Sequence, residues 1–451
     1  MDDRSERFVA RVKRKALSLM LIFSVLGSLS LTGCGQESTV EGKSGAEKRD
    51  VYHNEPVTLT FYSQNASVLN DADLEELVTK AIKSKYPNIK PKLITGDLEK
   101  LISGGEVPDI VLSALQFVPK ILRLELYSDM NEFIRQEGID LGKFEPETVR
   151  ATKSFSDKGE FVGMPYAMSY GMLLVNKEIF DKLAVPYPSD GMTWSEVLGL
   201  AARVTRLHQD TSYIGLDLTA PTIMTRQAGL PVIDDKGEKA IIQSEGYKKV
   251  YSLYERLYGI SGIVAGKKYT YGINYFMRDQ KTAMFPYWLI PTTVRLPELR
   301  ESGKTFNWDV VSYPSFDDKP GYGRDIDFHM ALVSPKSPNK TAAYAAIKTL
   351  VGEEAQRAMN RGIRMTVLAD PALRKEVAAD TKLYDGKNLQ GIFKAKLSPS
   401  PKASIYDQDL YPFLNEAAEK MAFEKTDVNT ALREAEEKAN QHLRQELGKL
   451  K

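Results

Sequence analysis

Residues 57–114 alternate short apolar strands with amphipathic helices, and this alternation restricts the chain to an α/β architecture. Val57, Leu59 and Phe61 occupy every second position, as in a half-buried strand. Leu74, Leu77, Val78, Ala81 and Ile82 then recur at helical spacing behind aspartate caps, and Pro87 ends that helix. "KPKLITG" reads as the next strand, and the unbroken Ile110, Val111 and Leu112 fit a strand covered on both faces. The order predicts a parallel sheet with helical crossovers, whose ligand crevices lie at the carboxyl ends of its strands. The pattern resumes with strands at Phe161 to Pro165 and Met172 to Val175, and a helix opening at Trp194 behind a Thr193–Glu196 capping box. Further strands are expected at "YIGLDL", "KTAMFPY", "NWDVVSYP" and "DFHMALVSP", and further helices at 244–258, 339–351, 409–424 and 428–446.

The chain of 451 residues has a single cysteine, Cys34, directly behind an apolar run. Basic residues from Arg4 to Lys15 precede the apolar Ala16 to Leu31, and small Thr32 and Gly33 follow, the three parts of a signal peptide spanning residues 1–33. The apolar run is shorter than the roughly 20 residues a membrane-spanning helix needs. Leu31-Thr32-Gly33-Cys34 resembles the bacterial lipobox, which implies lipid on the Cys34 thiol and cleavage in front of it. Acyl chains of this kind anchor a protein without making it span the bilayer. Polar residues 34–54 read as a flexible tether. With its one thiol acylated the exported fold has no disulfide and must be held by its cores.

Charge argues against a nucleic-acid partner, which would need a basic face, because 61 basic residues are matched by 60 acidic ones. The four histidines are too scattered for a local metal motif, and no metal or other cofactor is expected. His329, between Phe328 and Met330, reads as an interior histidine. No nucleophile elbow occurs, so no catalytic residue is assigned. The acid pairs Asp325 with Asp327 and Asp407 with Asp409 leave a glycoside hydrolase as a minor alternative.

"GEFVGMPYAMSYGMLLVNKEIFDKLAVPYPSDGMTWSEVLGLAARVT" resembles the central signature of the family 1 extracellular solute-binding proteins, the maltodextrin-binding-like receptors of ABC importers. In that family a G-x-x-Y/F-G-x-P-Y strand precedes Y-N-K-E/D-x-F and then P-x-T-W-x-E; here Val175 stands where an aromatic is usual. The similarity extends over residues 55–446. It implies a two-lobe periplasmic-binding-protein type II fold with hinge strands between two α/β domains. Lobe 1 would be residues 55–166 plus 326–358 and lobe 2 residues 167–325 plus 359–451, with hinges near Ala167-Met168 and Asp325 to Phe328. The implied role is a monomeric, lipid-anchored receptor that captures a sugar or oligosaccharide and delivers it to ABC permease subunits. A receptor for a peptide or polyamine, or a sensory lipoprotein, are the alternatives.

Sugars present apolar ring faces to aromatics and hydroxyls to polar groups. On that basis the resemblance points to Ser63, Gln64 and Asn65 after the first strand, to Ser113, and to Tyr166, Ser169 and Tyr170 at the first hinge. Tyr287 and Trp288 match a stacking position of the family, Asp325 abuts the second crossover, and Tyr411 matches a second aromatic site. Arg361 and Arg364 would favour an anionic ligand if they faced the cleft. Asp109 and Asn176 read as turn caps.

Overall fold

The computed structural model describes residues 52–362 and 364–449. The leader, Cys34 and most of the tether lie outside the described residues. Residues 52–54, assigned to the tether, are instead fixed to the body. Tyr52 meets Tyr86 edge-on at 5.6 Å between ring centroids, and the Asn54 carbonyl accepts from Asn88 Nδ2 at 2.8 Å.

Among the described residues twelve strands follow in chain order: β1 (Val57–Gln64), β2 (Ile89–Ile94), β3 (Ile110–Ala114), β4 (Met164–Ser169), β5 (Gly171–Asn176), β6 (Arg206–His208), β7 (Thr211–Leu216), β8 (Thr282–Trp288), β9 (Trp308–Ser312), β10 (Tyr322–Asp325), β11 (Asp327–Val333) and β12 (Lys396–Ser398). They form two five-stranded sheets, ordered β2-β1-β3-β11-β4 and β6-β7-β8-β5-β9, and a small β10-β12 pair. The first sheet is parallel only across β2-β1-β3, because β11 runs antiparallel to both β3 and β4. In the second sheet only β7-β8 is parallel. The parallel sheet expected from residues 57–114 is present in β2-β1-β3, and the antiparallel pairs come from strands later in the chain.

Two crossings run directly from one strand into the next. The first falls at Tyr170, between β4 and β5, rather than at Ala167-Met168; those two residues lie inside the first sheet, paired with His329 and Phe328. The second falls at Ile326, between β10 and β11. The segment after residue 359, expected with the second sheet, returns first to the other one: Met365 bridges to Met168 and Leu368 to Phe144. Only afterwards does Tyr384 reach Trp308 of β9, with ring centroids 5.8 Å apart.

The second sheet is covered on both faces, and strand alternation shares its residues between two cores. Met172 and Leu174 of β5 join the core built on the first sheet. Leu173 and Val175 join a core with Trp194, Tyr251 and Leu414. The capping box forms as the spacing predicts, with Thr193 N donating to Glu196 Oε2 at 2.7 Å. Trp194 is fully buried, and its indole N–H donates to Gln227 at 3.0 Å. Two further helices, Pro221–Gln227 and Leu289–Glu301, are ones that the spacing did not single out.

Candidate functional site

A cavity of about 320 Å³ opens at the second crossing, between residues that follow β3 of the first sheet and the end of β8 in the second. Leu115 and Gln116 reach it directly after β3, Trp288 from the end of β8, and Arg324, Asp325, Ile326 and Asp327 along the second crossing. The Pro221–Gln227 helix adds Thr222 and Arg226, and the Asp407–Phe423 helix adds Gln408 and Tyr411. Carboxyl ends of strands and a change of sheet thus frame the cavity, the placement in which open α/β folds bind ligands. Gln408 Nε2 donates across it to the Gln116 carbonyl at 3.4 Å. A cavity of about 480 Å³ lies elsewhere, between the Glu353–Arg361 helix and residues 76–85, away from both crossings.

Charged groups dominate the wall. Arg226 Nε donates to Asp325 Oδ2 at 2.8 Å and Nη2 lies at the same distance from that oxygen. Asp325 is 1% exposed, so this pair is buried. Burial opposes the charge on Arg226, but the Asp325 carboxylate and the Tyr411 hydroxyl hold the guanidinium firmly protonated, above the usual arginine range. Arg324 lies over Trp288, its Cζ 3.7 Å from the ring centroid, a cation–π contact in a desolvated place. Burial lowers the Arg324 pKa, an effect that Tyr313, Asp325 and Asp327 offset only in part. Burial also raises the Asp327 carboxyl to about 6, against the pull of Arg324. Asp407, beside the cavity, is raised to about 6 by burial, and the Tyr411 phenol to about 12 for the same reason.

Of the residues named from sequence, Trp288, Asp325 and Tyr411 stand in the cavity wall. Tyr287 does not, because adjacent strand residues point to opposite faces; its ring packs near Phe285 at 5.3 Å. Tyr166 is 1% exposed in the core, and Gln356 Nε2 donates to its carbonyl at 2.7 Å. The Ser169 hydroxyl accepts from Ile290 N at 3.2 Å, at the start of the Leu289–Glu301 helix. Tyr170 donates its hydroxyl to the Ala395 carbonyl at 3.0 Å. Gln64 pairs in register with Ser113 at the correct end of the first sheet, and Asn65 follows it with φ 51, but none of these lines the cavity; Ser113 Oγ donates to the Ala114 carbonyl. Arg361 pairs with Glu376 and Asp380 outside, and Arg364 is buried against the Ser67 carbonyl, so neither faces the cleft. His329 is interior, with Nδ1 2.5 Å from Ser67 Oγ. Asp109 joins Thr60, Ser337 and Asn339, and Asn176 Nδ2 donates to the Gln280 carbonyl. Arg226, Arg324, Gln116 and Gln408 are among the wall residues that the sequence did not point to, as are Thr222 and Asn415.

Gly171 explains how Arg324 comes to lie on Trp288. A Cβ at that position would fall 2.6 Å from Arg324 Cβ and 3.0 Å from the Tyr313 ring. Only a residue without a side chain lets the two crossing strands approach so closely. Gly171→Ala is expected to destabilise the chain by about 1–3 kcal/mol and to shift tryptophan emission as Arg324 leaves the indole, both readable in one fluorescence-monitored melt.

No group of three or more metal-ligating side chains occurs among the described residues, and none of their helices is long and apolar enough to cross a membrane. No curated protein sequence matches the chain. Among solved structures, the ABC substrate-binding protein Lmo0181 from Listeria monocytogenes, in complex with cycloalternan, aligns with TM-score 0.68 at 18% identity, covering 86% of this chain and 98% of that one. The sugar-binding protein MalE from Xanthomonas citri aligns with TM-score 0.67 at 14% identity, over 87% and 99% of the two chains. A sugar transporter from Rhizobium etli, in an open conformation, gives TM-score 0.67 at 19% identity, over 85% and 99%. At these identities the likeness concerns the two-sheet α/β fold. A family model described as bacterial extracellular solute-binding protein matches residues 82–385, and the chain belongs to that family.

Proposed function

We propose that this chain is a lipid-anchored receptor that captures a small sugar between its two sheets and delivers it to the permease subunits of an ABC importer. Membership of an extracellular solute-binding family places its work outside the cytoplasm. The observation that carries the sugar reading is the cavity wall itself, where Trp288 and Tyr411 stand among Arg226, Arg324, Asp325, Asp327 and Gln408. Aromatic faces suit the apolar side of a sugar ring, and the polar groups suit its hydroxyls. The cavity volume, about 320 Å³, is near the lower end of the roughly 300–1,000 Å³ usual for ligand sites, so a ligand of one or two rings fits better than a long oligosaccharide. The similar structures include proteins solved with cycloalternan, tagatose and mannobiose.

The body residues 55–169 and 327–358 would form one lobe around the first sheet. Residues 171–325 and the C-terminal helices would form the other, with Tyr170 and Ile326 as hinges. Ligand that contacts both sides stabilises the closed form by its differential affinity for it. Cys34 would hold the receptor at the membrane through lipid. Catalysis does not fit the wall, since one member of its acid pair, Asp325, is already engaged by Arg226.

Calorimetric titration of the full chain in detergent against neutral mono- and disaccharides, amino acids, peptides and polyamines tests the proposal. Binding of at least one sugar is expected, with Trp288→Ala weakening it about tenfold or more. Preference for a peptide or polyamine, or no response to any sugar, would replace the sugar reading.

A further inference from the structure

We propose that Arg324 and Asp327 form a donor–acceptor pair that grips two neighbouring hydroxyls of an uncharged sugar ring, one held at each end of the second crossing. This rests on the sugar reading above and specifies what the site selects.

The other charged pair in the wall is joined within itself. Both Arg226 contacts fall on Asp325 Oδ2, so Arg226 Nε and Nη2 are taken and the carboxylate keeps only Oδ1 for a ligand. Arg324 is the opposite case. It is 7% exposed, its Nε makes no hydrogen bond, and that nitrogen is 3.9 Å from Asp325 Oδ1, too far for one. A guanidinium has five N–H donors in one plane. Set over Trp288, it has a ring for its charge but no acceptor for its buried Nε, and it lines the cavity. A buried cation left without acceptors is costly, and a bound ligand removes that cost.

Asp327 stands beyond Ile326 on the same wall, and among the described residues its side chain enters no hydrogen bond or ion pair. A carboxylate that is mostly buried and lines a cavity is an acceptor awaiting a donor. A hydroxyl meets both demands, because it accepts from a guanidinium and donates to a carboxylate. Charge points the same way: the wall has arginines 226 and 324 against aspartates 325 and 327, which balance. An anionic ligand at Arg324 would face Asp327, and a cationic one at Asp327 would face Arg324.

The experiment is calorimetric titration of the full chain in detergent with maltose, mannobiose and D-tagatose as neutral probes, D-glucuronate as an anion and D-glucosamine as a cation. At least one neutral probe is expected to bind, with the charged probes at least tenfold weaker. Arg324→Lys, which keeps the charge but loses the fork, is expected to weaken the neutral probe about tenfold or more. Asp327→Asn is expected to do the same without lowering the melting temperature, which separates a lost contact from a damaged fold. Monodeoxy analogues of the bound sugar supply a readout that a structural role would not move: removing a gripped hydroxyl should abolish most of the Asp327→Asn penalty. Variants that bind within twofold of wild type, or a charged probe that binds more tightly than the neutral ones, overturn the pair while leaving sugar binding intact. No binding of any neutral probe refutes the sugar reading itself, and this inference with it.

Discussion

Asp325→Ala is expected to lose about 3–5 kcal/mol of folding stability, the usual cost of breaking a buried ion pair by removing one partner. The carboxylate is almost fully enclosed, and Arg226 lies against one of its oxygens through two nitrogens at 2.8 Å. Without it the arginine retains the Tyr411 hydroxyl, at 3.5 Å, and the more distant pull of Asp407, and must remain charged in a desolvated place. The loss should appear as a lower denaturation midpoint in urea. The double variant Arg226→Met with Asp325→Leu should recover most of it, because two well-packed apolar side chains often replace a buried pair at little cost. A loss below about 1 kcal/mol for the single variant would mean that water reaches Arg226 and that the pair is effectively a surface one. The pair joins the crossing strand β10 to the Pro221–Gln227 helix, so the same change should also loosen one side of the cavity.

Strand alternation, the buried Ile110 to Leu112 run and the Thr193 capping box were legible because each is written in consecutive residues. The crossing points were less so. Ala167, Met168 and Tyr170 are all buried and apolar, and nothing in their local pattern marks which of them leaves the first sheet. The site was legible in part. Trp288 and Tyr411 were reached through the family resemblance and Asp325 through its place beside the second crossover; Trp288 and Asp325 do end strands β8 and β10. Tyr166, Ser169 and Tyr170 also sit near such ends, but their polar atoms or backbones serve internal hydrogen bonds. Arg226 was invisible because it is 99 positions from the carboxylate that defines its role, and its helix was too short for a periodic signal. Arg324 was adjacent to a named candidate, yet its contact with Trp288 depends on the close approach at Gly171.

Asp327→Asn is expected to stabilise the chain by about 2 kcal/mol near pH 7.5, and the gain should fade as the pH is lowered. Burial raises the Asp327 carboxyl to about 6, with Arg324 and Arg226 acting against the rise and Asp325 for it. An aspartate in the unfolded chain titrates near about 3.9. A folded pKa above the unfolded one means that folding favours the protonated form. Its contribution is fully present below about pH 4 and is lost as the pH rises through about 6. Asparagine keeps the shape without the charge, so the difference between variant and wild type is largest above pH 7 and nearly absent at pH 4. His329 slopes the other way: burial, helped by Arg364, lowers its pKa to about 3, so its stabilisation is lost as the pH falls below about 6.5. That slope, and the one from Asp407, occur in both chains and cancel in the difference, which is why paired urea titrations at several pH values isolate Asp327. A gap that stays constant with pH would show that the carboxylate is solvated. If the gap closes as expected while the same variant binds sugar more weakly, the two effects have opposite signs. Asp327 is then a residue whose charge opposes folding and serves the ligand, a trade-off expected of a binding site and not of a structural one.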